Sequence, residues 1–171
     1  DPMASAPKTG WSAPPPIIRE SIRVRDFYDW ARDRLRMTLL TGEKGHDNLI
    51  TEKNLHRPGL ALAGYVGLFT FHRIQIFGNT ELFYLGSLEE SERIKSFQTI
   101  ASFDIPCIIT TNGNPLGAEL LAICEARNIP VFVTSFETTK AIFYLSDFLE
   151  DQFNPQTALH GAFVDVYGVG L

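Results

Sequence analysis

The chain has 171 residues, 44% of them apolar and 20% charged, and a net charge of −5. That balance belongs to a globular chain with room for one ordinary domain plus tails, and it excludes a disordered polymer. No apolar run approaches the roughly 20 residues of a membrane helix. The N-terminus has no secretory signal, and interspersed charges of both signs argue against a nucleic-acid surface.

Residues 1–20 read as a flexible, Pro-rich tail: Pro14-Pro15-Pro16 stands near its end, and Asp1-Pro2 ahead of Met3 has the look of a cloning remnant. Residues 21–154 read as one α/β domain, and 155–171 as the start of a second unit. From Val24 to Leu35, Val24, Phe27, Tyr28, Ala31 and Leu35 share one helical face, which leaves Arg32-Asp33-Arg34 as a solvated run. Leu39-Leu40 and Leu49-Ile50 then flank a polar link, Thr41 to Asn48, and predict two short strands.

Asn54 to Leu85 is the organising stretch, with a Pro-Gly break, a short apolar helical turn, a strand over 73–77 and a second helix start. Pro58, Gly59 and Gly64 are expected to fix backbone geometry while Leu60, Leu62 and Ile74 fill a core. Ser87 precedes Glu90 at capping-box spacing, and Ile94, Phe97, Ile100 and Ala101 give the next helix an apolar stripe.

Beyond this point strands and helices alternate. Cys107 to Thr111 is a continuous apolar and β-branched run, as in a strand buried on both faces. Asn114-Pro115 has the form of a cap followed by a first helical position. Val131 to Thr134 predicts a further strand. Glu137 to Asp151 predicts a helix that turns Ile142, Leu145, Phe148 and Leu149 inward and ends before Asn154-Pro155. This order implies an α/β fold with a mixed or mostly parallel sheet flanked by helices. Phe163 to Tyr167 is another β run, turned by Gly168-Val169-Gly170, and Leu171 follows in mid-pattern. The expectation is a truncated second domain whose unpaired strand is poorly ordered or pairs with another chain.

Several motifs recur in family order: Val24-Arg25-Asp26-Phe27-Tyr28, Arg57-Pro58-Gly59-Leu60-Ala61-Leu62-Ala63-Gly64-Tyr65, Arg73-Ile74-Gln75-Ile76, Thr80-Glu81-Leu82, Ile105-Pro106-Cys107-Ile108-Ile109, Ile129-Pro130 and His160-Gly161. The closing motif is Val164-Asp165-Val166-Tyr167-Gly168-Val169-Gly170. In this ordered set the chain resembles the N-terminal region of HPr kinase/phosphorylase, a bacterial regulator of carbon metabolism. The resemblance implies an N-terminal α/β domain, similar to the nucleotide-substrate domain of peptidoglycan (Mur) ligases, ahead of a kinase domain. That kinase domain would phosphorylate a serine of the protein HPr with ATP and Mg, reverse this by phosphorolysis, and work as a cytoplasmic homo-oligomer.

The family's phosphate-cradling loop is expected just after Leu171, and no GxxxxGK[ST] occurs in this sequence. By resemblance, His160 corresponds to an active-site histidine lying near the phosphates, and it is the one catalytic candidate here. No residue of the chain is expected to bind a cofactor or a metal, and the chain by itself is expected to be inactive. The alternative is a small-molecule-sensing or protein-interaction domain without catalysis.

Other candidates have plainer readings. Arg57 could meet a phosphate near helix N–H groups, but the preferred reading is a structural salt bridge to a core-edge carboxylate. Thr110-Thr111-Asn112-Gly113 and Thr138-Thr139 fall at strand-to-helix turns, where α/β folds often hold ligands, though turn formation also selects these residues. His56 and His72 lack partners at metal-ligand spacing. Cys107 and Cys124 read as buried, reduced thiols. Val66 to Phe71 is an apolar loop that suggests a subunit contact, and Trp30 adds aromatic area expected at the surface.

Overall fold

A computed structural model describes residues 19–154. The strands are β1 (Ile22–Arg23), β2 (Met37–Leu39), β3 (Leu49–Ile50), β4 (Leu55–His56), β5 (Ile74–Phe77), β6 (Ile108–Thr110) and β7 (Val131–Thr134), the last three rich in β-branched residues. The helices are α1 (Val24–Arg34), α2 (Gly59–Leu62), α3 (Asn79–Gly86), α4 (Glu90–Ala101), α5 (Ala118–Ala126) and α6 (Thr138–Phe153). The main sheet runs β2-β7-β6-β5-β4; β4 to β7 are parallel, and β2 closes the edge antiparallel to β7. β1 and β3 pair separately as an antiparallel ribbon. The fold is therefore α/β with a mixed, mostly parallel sheet flanked by helices.

Strand period sorts the core into two layers, because successive side chains leave the sheet on opposite faces. Ile74, Ile76, Ile109 and Phe132 meet Phe27 and Ala31 of α1, Leu35 at its C-cap, and Leu145 and Phe148 of α6. Phe77, Ile108 and Val131 turn the other way, onto Phe97 and Ile100 of α4 and Leu120 and Cys124 of α5. Burying each large side chain in these layers contributes about 1.5–3 kcal/mol. With both faces covered, β5 and β6 are buried at every position, which explains the apolar run of β6 and leaves Gln75 of β5 to satisfy its amide N–H groups on the Thr70 and Arg73 carbonyls.

The periodic helices and strands lie where the sequence puts them, whereas several caps do not. Asn114 does not cap α5: its N–H donates to Thr111 O and its side chain to Asn79, so the helix starts after an extended Gly117. Ser87 does not open α4; it ends α3 with its hydroxyl donated to Tyr84 O, and Glu89 precedes α4. Leu60 is 72% exposed, on the outer side of a helix only four residues long, while Leu62 and Ile74 are buried as expected.

The loop from Val66 to Phe71 packs partly into the core and partly faces outward. Phe69 is buried, Val66 and Phe71 pack beside it, and Leu68 alone of its large apolar residues is mostly exposed. Trp30 stacks on Phe148 at 3.7 Å between ring centroids, which places it against the core. Cys107 and Cys124 are both buried and free. The tail up to residue 18 and the β run of residues 163–167 lie outside the described residues.

Candidate functional site

Because β5, β6 and β7 are parallel, the loops that leave them gather at one edge of the sheet. The β6 exit turns sharply: Asn112 and Gly113 adopt φ of +59° and +70°, the left-handed region that Asn and Gly tolerate best. The turn is pinned to the β7 exit by Asn112 N–H to Phe136 O and Gly113 N–H to Thr134 O, each 2.8 Å. Thr111, fully buried, lies with its hydroxyl 2.6 Å from that of Thr138.

The side-chain amide nitrogen of Asn112 is 3.2–3.3 Å from three oxygens, those of Thr111, Thr138 and Asn79. Its two hydrogens cannot serve three acceptors at once, and all three contacts are longer than a typical N–H···O bond. Asn114 donates to Asn79 from the outer side at 3.0 Å. The edge thus offers amides and hydroxyls from three loops on a partly solvated surface.

Arg57 reaches this edge from β4. Its Nη2 donates to Glu81 Oε1 at 2.7 Å, and the same oxygen accepts the Gly78 N–H at 2.9 Å. A Cβ on Gly78 would stand 2.5 Å from Arg57 Nη2 and 2.8 Å from Thr138 Oγ1, so a side chain there would have to displace the arginine or the threonine where they converge. The ion pair proposed for Arg57 is present, and part of its guanidinium remains exposed.

Farther along β4 the groups are structural in character. Glu52 pairs with His72 at 2.6 Å and Arg73 at 2.5 Å. Burial pushes its carboxyl up, but the hydrogen bond with His72 and the charge and hydrogen bond of Arg73 outweigh burial and hold it below the usual range. His56 lies 5.5 Å from the Phe69 ring, and burial, aided by Arg73, lowers its pKa. Burial also raises both thiols, Cys124 to about 12, so neither is a nucleophile near neutral pH. Among the described residues no group of three or more His, Cys, Asp or Glu could hold a metal. No GxxxxGK[ST] occurs in the 171 residues.

Thr111, Asn112 and Thr138 are brought together by the fold, with Arg57 beside them, whereas His56 and His72 stand apart from the edge. His160 lies outside the described residues. Asn79, Glu81 and Asn114 join the site although the sequence reading assigned none of them to it, taking Asn114 as a helix cap and Glu81 as part of a motif. Glu81 carried a signal, as the third residue of a helix whose cap, Gly78, has no side chain to offer.

These features define a layered α/β domain with a polar carboxyl edge. A solved structure shares the fold: the CBS and DRTGG domains of the regulatory region of Clostridium perfringens pyrophosphatase, complexed with its activator diadenosine tetraphosphate. The TM-score is 0.55 at 12% identity, over 91% of this chain and 66% of that one, a likeness of fold alone. The family model described as HPr Serine kinase N terminus matches residues 22–149, and the chain belongs to that family.

Relatives named HPr kinase/phosphorylase include those of Chloroherpeton thalassium, 45% identical, and Chlorobium phaeovibrioides, 51% identical. Each alignment covers 91% of this chain and 46% or 47% of the relative. The chain therefore spans about half the length of the curated relatives it matches. No described helix is long and apolar enough to cross a membrane.

Proposed function

We propose that this chain is the assembly and regulatory N-terminal domain of a bifunctional HPr kinase/phosphorylase. The intact enzyme phosphorylates a serine of HPr with ATP and Mg and removes the phosphate by phosphorolysis, controlling carbon metabolism from the cytoplasm as a homo-oligomer. The observation that carries this reading is the family match over residues 22–149, together with relatives of that name about twice as long. The absence of GxxxxGK[ST] from the sequence supports placing phosphoryl transfer in a further domain, with His160 contributing only when that domain is present.

The test compares two proteins, this chain and a version extended by the coding sequence downstream of Leu171. Each is incubated with purified HPr, ATP and Mg, and phosphoserine is measured alongside the oligomeric state by light scattering. The extended protein should phosphorylate HPr as an oligomer, and the 171-residue chain should not phosphorylate it at all. Transfer by the short chain, or a stop codon directly after Leu171, would overturn the reading.

A further inference from the structure

Beside the carboxyl edge, a cleft of about 420 Å³ opens between the β4 segment and α6. Lys53, Arg57 and Arg73 line it against a single carboxylate, Glu150, in a chain whose net charge is −5. Each of the three has a carboxylate partner, Glu150, Glu81 and Glu52 in turn, so what the cleft offers an anion is not net charge but the guanidinium N–H donors left over from those pairs.

Two of the three cations are held from behind. Glu81, 4% exposed, and Glu52 fix Arg57 and Arg73 without lining the cleft themselves. A guanidinium has five N–H donors in a rigid fork. Arg57 gives Nη2 to Glu81, and its other nitrogens meet no acceptor among the described residues. Only Lys53 is paired within the cleft, to Glu150 at 2.8 Å.

The opposite wall follows one face of α6. Thr138, Ile142, Ser146 and Glu150 recur every four residues, about 6 Å apart along the axis. That face leads from the hydroxyl and amide cluster around Thr138 and Asn112, past Arg57, to Lys53. Leu55 and Ile142 supply apolar wall between the polar ends.

We propose that this groove is a binding site for a small phosphorylated molecule. Its phosphoryl group is met by the preorganised arginines, its uncharged body by Leu55 and Ile142, and its hydroxyls by Asn54 and Ser146, which line the same cleft. The volume falls within the roughly 300–1,000 Å³ typical of small-molecule sites. A nucleic acid would instead need an extended basic surface. The inference does not depend on the chain's being part of a kinase.

The test is a two-dimensional amide NMR titration of the 171-residue chain with inorganic pyrophosphate and, separately, adenosine monophosphate. Saturable shifts are expected at Gly78, Thr138, Ile142 and Ser146. Ser146→Asp adds a carboxylate to an exposed position in the cleft wall and should weaken binding about tenfold with the fold unchanged. Arg57→Lys keeps the charge but loses the fork, and should weaken it by a similar factor. Flat titrations to about 10 mM for both probes overturn the proposal, since that concentration exceeds the dissociation constant of any specific site worth the name. Shifts that Ser146→Asp leaves unchanged, or that spread over all basic residues and vanish in raised salt, overturn it equally.

Discussion

Arg57 Nη2 donates to Glu81 Oε1 at 2.7 Å, joining a residue beside the edge strand to the first turn of α3. The partners are unequal, because the carboxylate side chain is 4% exposed and the guanidinium side chain 41%. The two deletions therefore differ in cost. Arg57→Ala strands a buried carboxylate and should cost about 2–3 kcal/mol, whereas Glu81→Gln keeps an acceptor for Gly78 N–H and should cost about 1. Urea unfolding of both variants checks the order, and a larger loss for Glu81→Gln would contradict it.

Stability should also fall on mild acidification because of His56. Burial and Arg73 depress its folded pKa below 6.5, so the unfolded chain binds the proton more readily. Stability is then full above about pH 6.5 and declines as the pH drops from there toward the folded pKa. His56→Asn should flatten this limb of the stability profile. A profile identical in slope to the parent's between pH 7 and about 5.5 would rule His56 out as its source.

A separate loss is expected at lower pH. The folded pKa of Glu52 lies below 4.5, held down by His72 and Arg73 against burial. Its contribution is present above the unfolded pKa and disappears as the pH falls through the folded value. Glu52→Gln should remove that acid-side step and lower stability at neutral pH. Unfolding midpoints followed from pH 6 down to about 3 measure both effects.

Gly45 and Gly64 both adopt positive φ, +87° and +108°, but their surroundings differ. A Cβ on Gly45 would lie 2.2 Å from the carbonyl oxygen of Asn128, while nothing lies within 4 Å of one on Gly64. Gly64→Ala should cost about 1 kcal/mol from backbone strain alone. Gly45→Ala must also shift backbone that Asn48 ties to Asn128 and Pro106, and should cost about 3 or more. Equal thermal midpoints for the two variants would refute the role assigned to the Gly45 contact.

Both cysteines should be silent in the folded chain, being buried and held as thiols. A thiol reagent at pH 8 should label neither Cys107 nor Cys124 until denaturant is added, when both react. Prompt labelling of Cys124 would show that α5 opens locally at low cost.

How far the sequence could be read depends on the range of the interaction concerned. The apolar stripe of α1, the buried runs of β5, β6 and β7 and the face of α6 follow from periods of 3.6 and 2, which a single segment states completely. Trp30 could not be placed this way, since its partner Phe148 lies on another helix. The caps of α4 and α5 were misplaced because Ser87 and Asn114 have local motifs that a competing partner overrode: Tyr84 O for the first, Thr111 O and Asn79 for the second.

The sequence by itself determined the alternation of elements, the two-faced burial of the parallel strands and, through its ordered motifs, the family. Only the tertiary structure decided that β2 pairs antiparallel with β7, matching Thr38 to Val133, and that β3 pairs with β1 instead. It alone brought Arg57, Glu81, Asn112 and Thr138 to one edge of the sheet. The reason is physical: periodicity is a property of neighbouring residues, whereas strand pairing and side-chain convergence depend on contacts between distant segments that exist only once the chain has closed on itself.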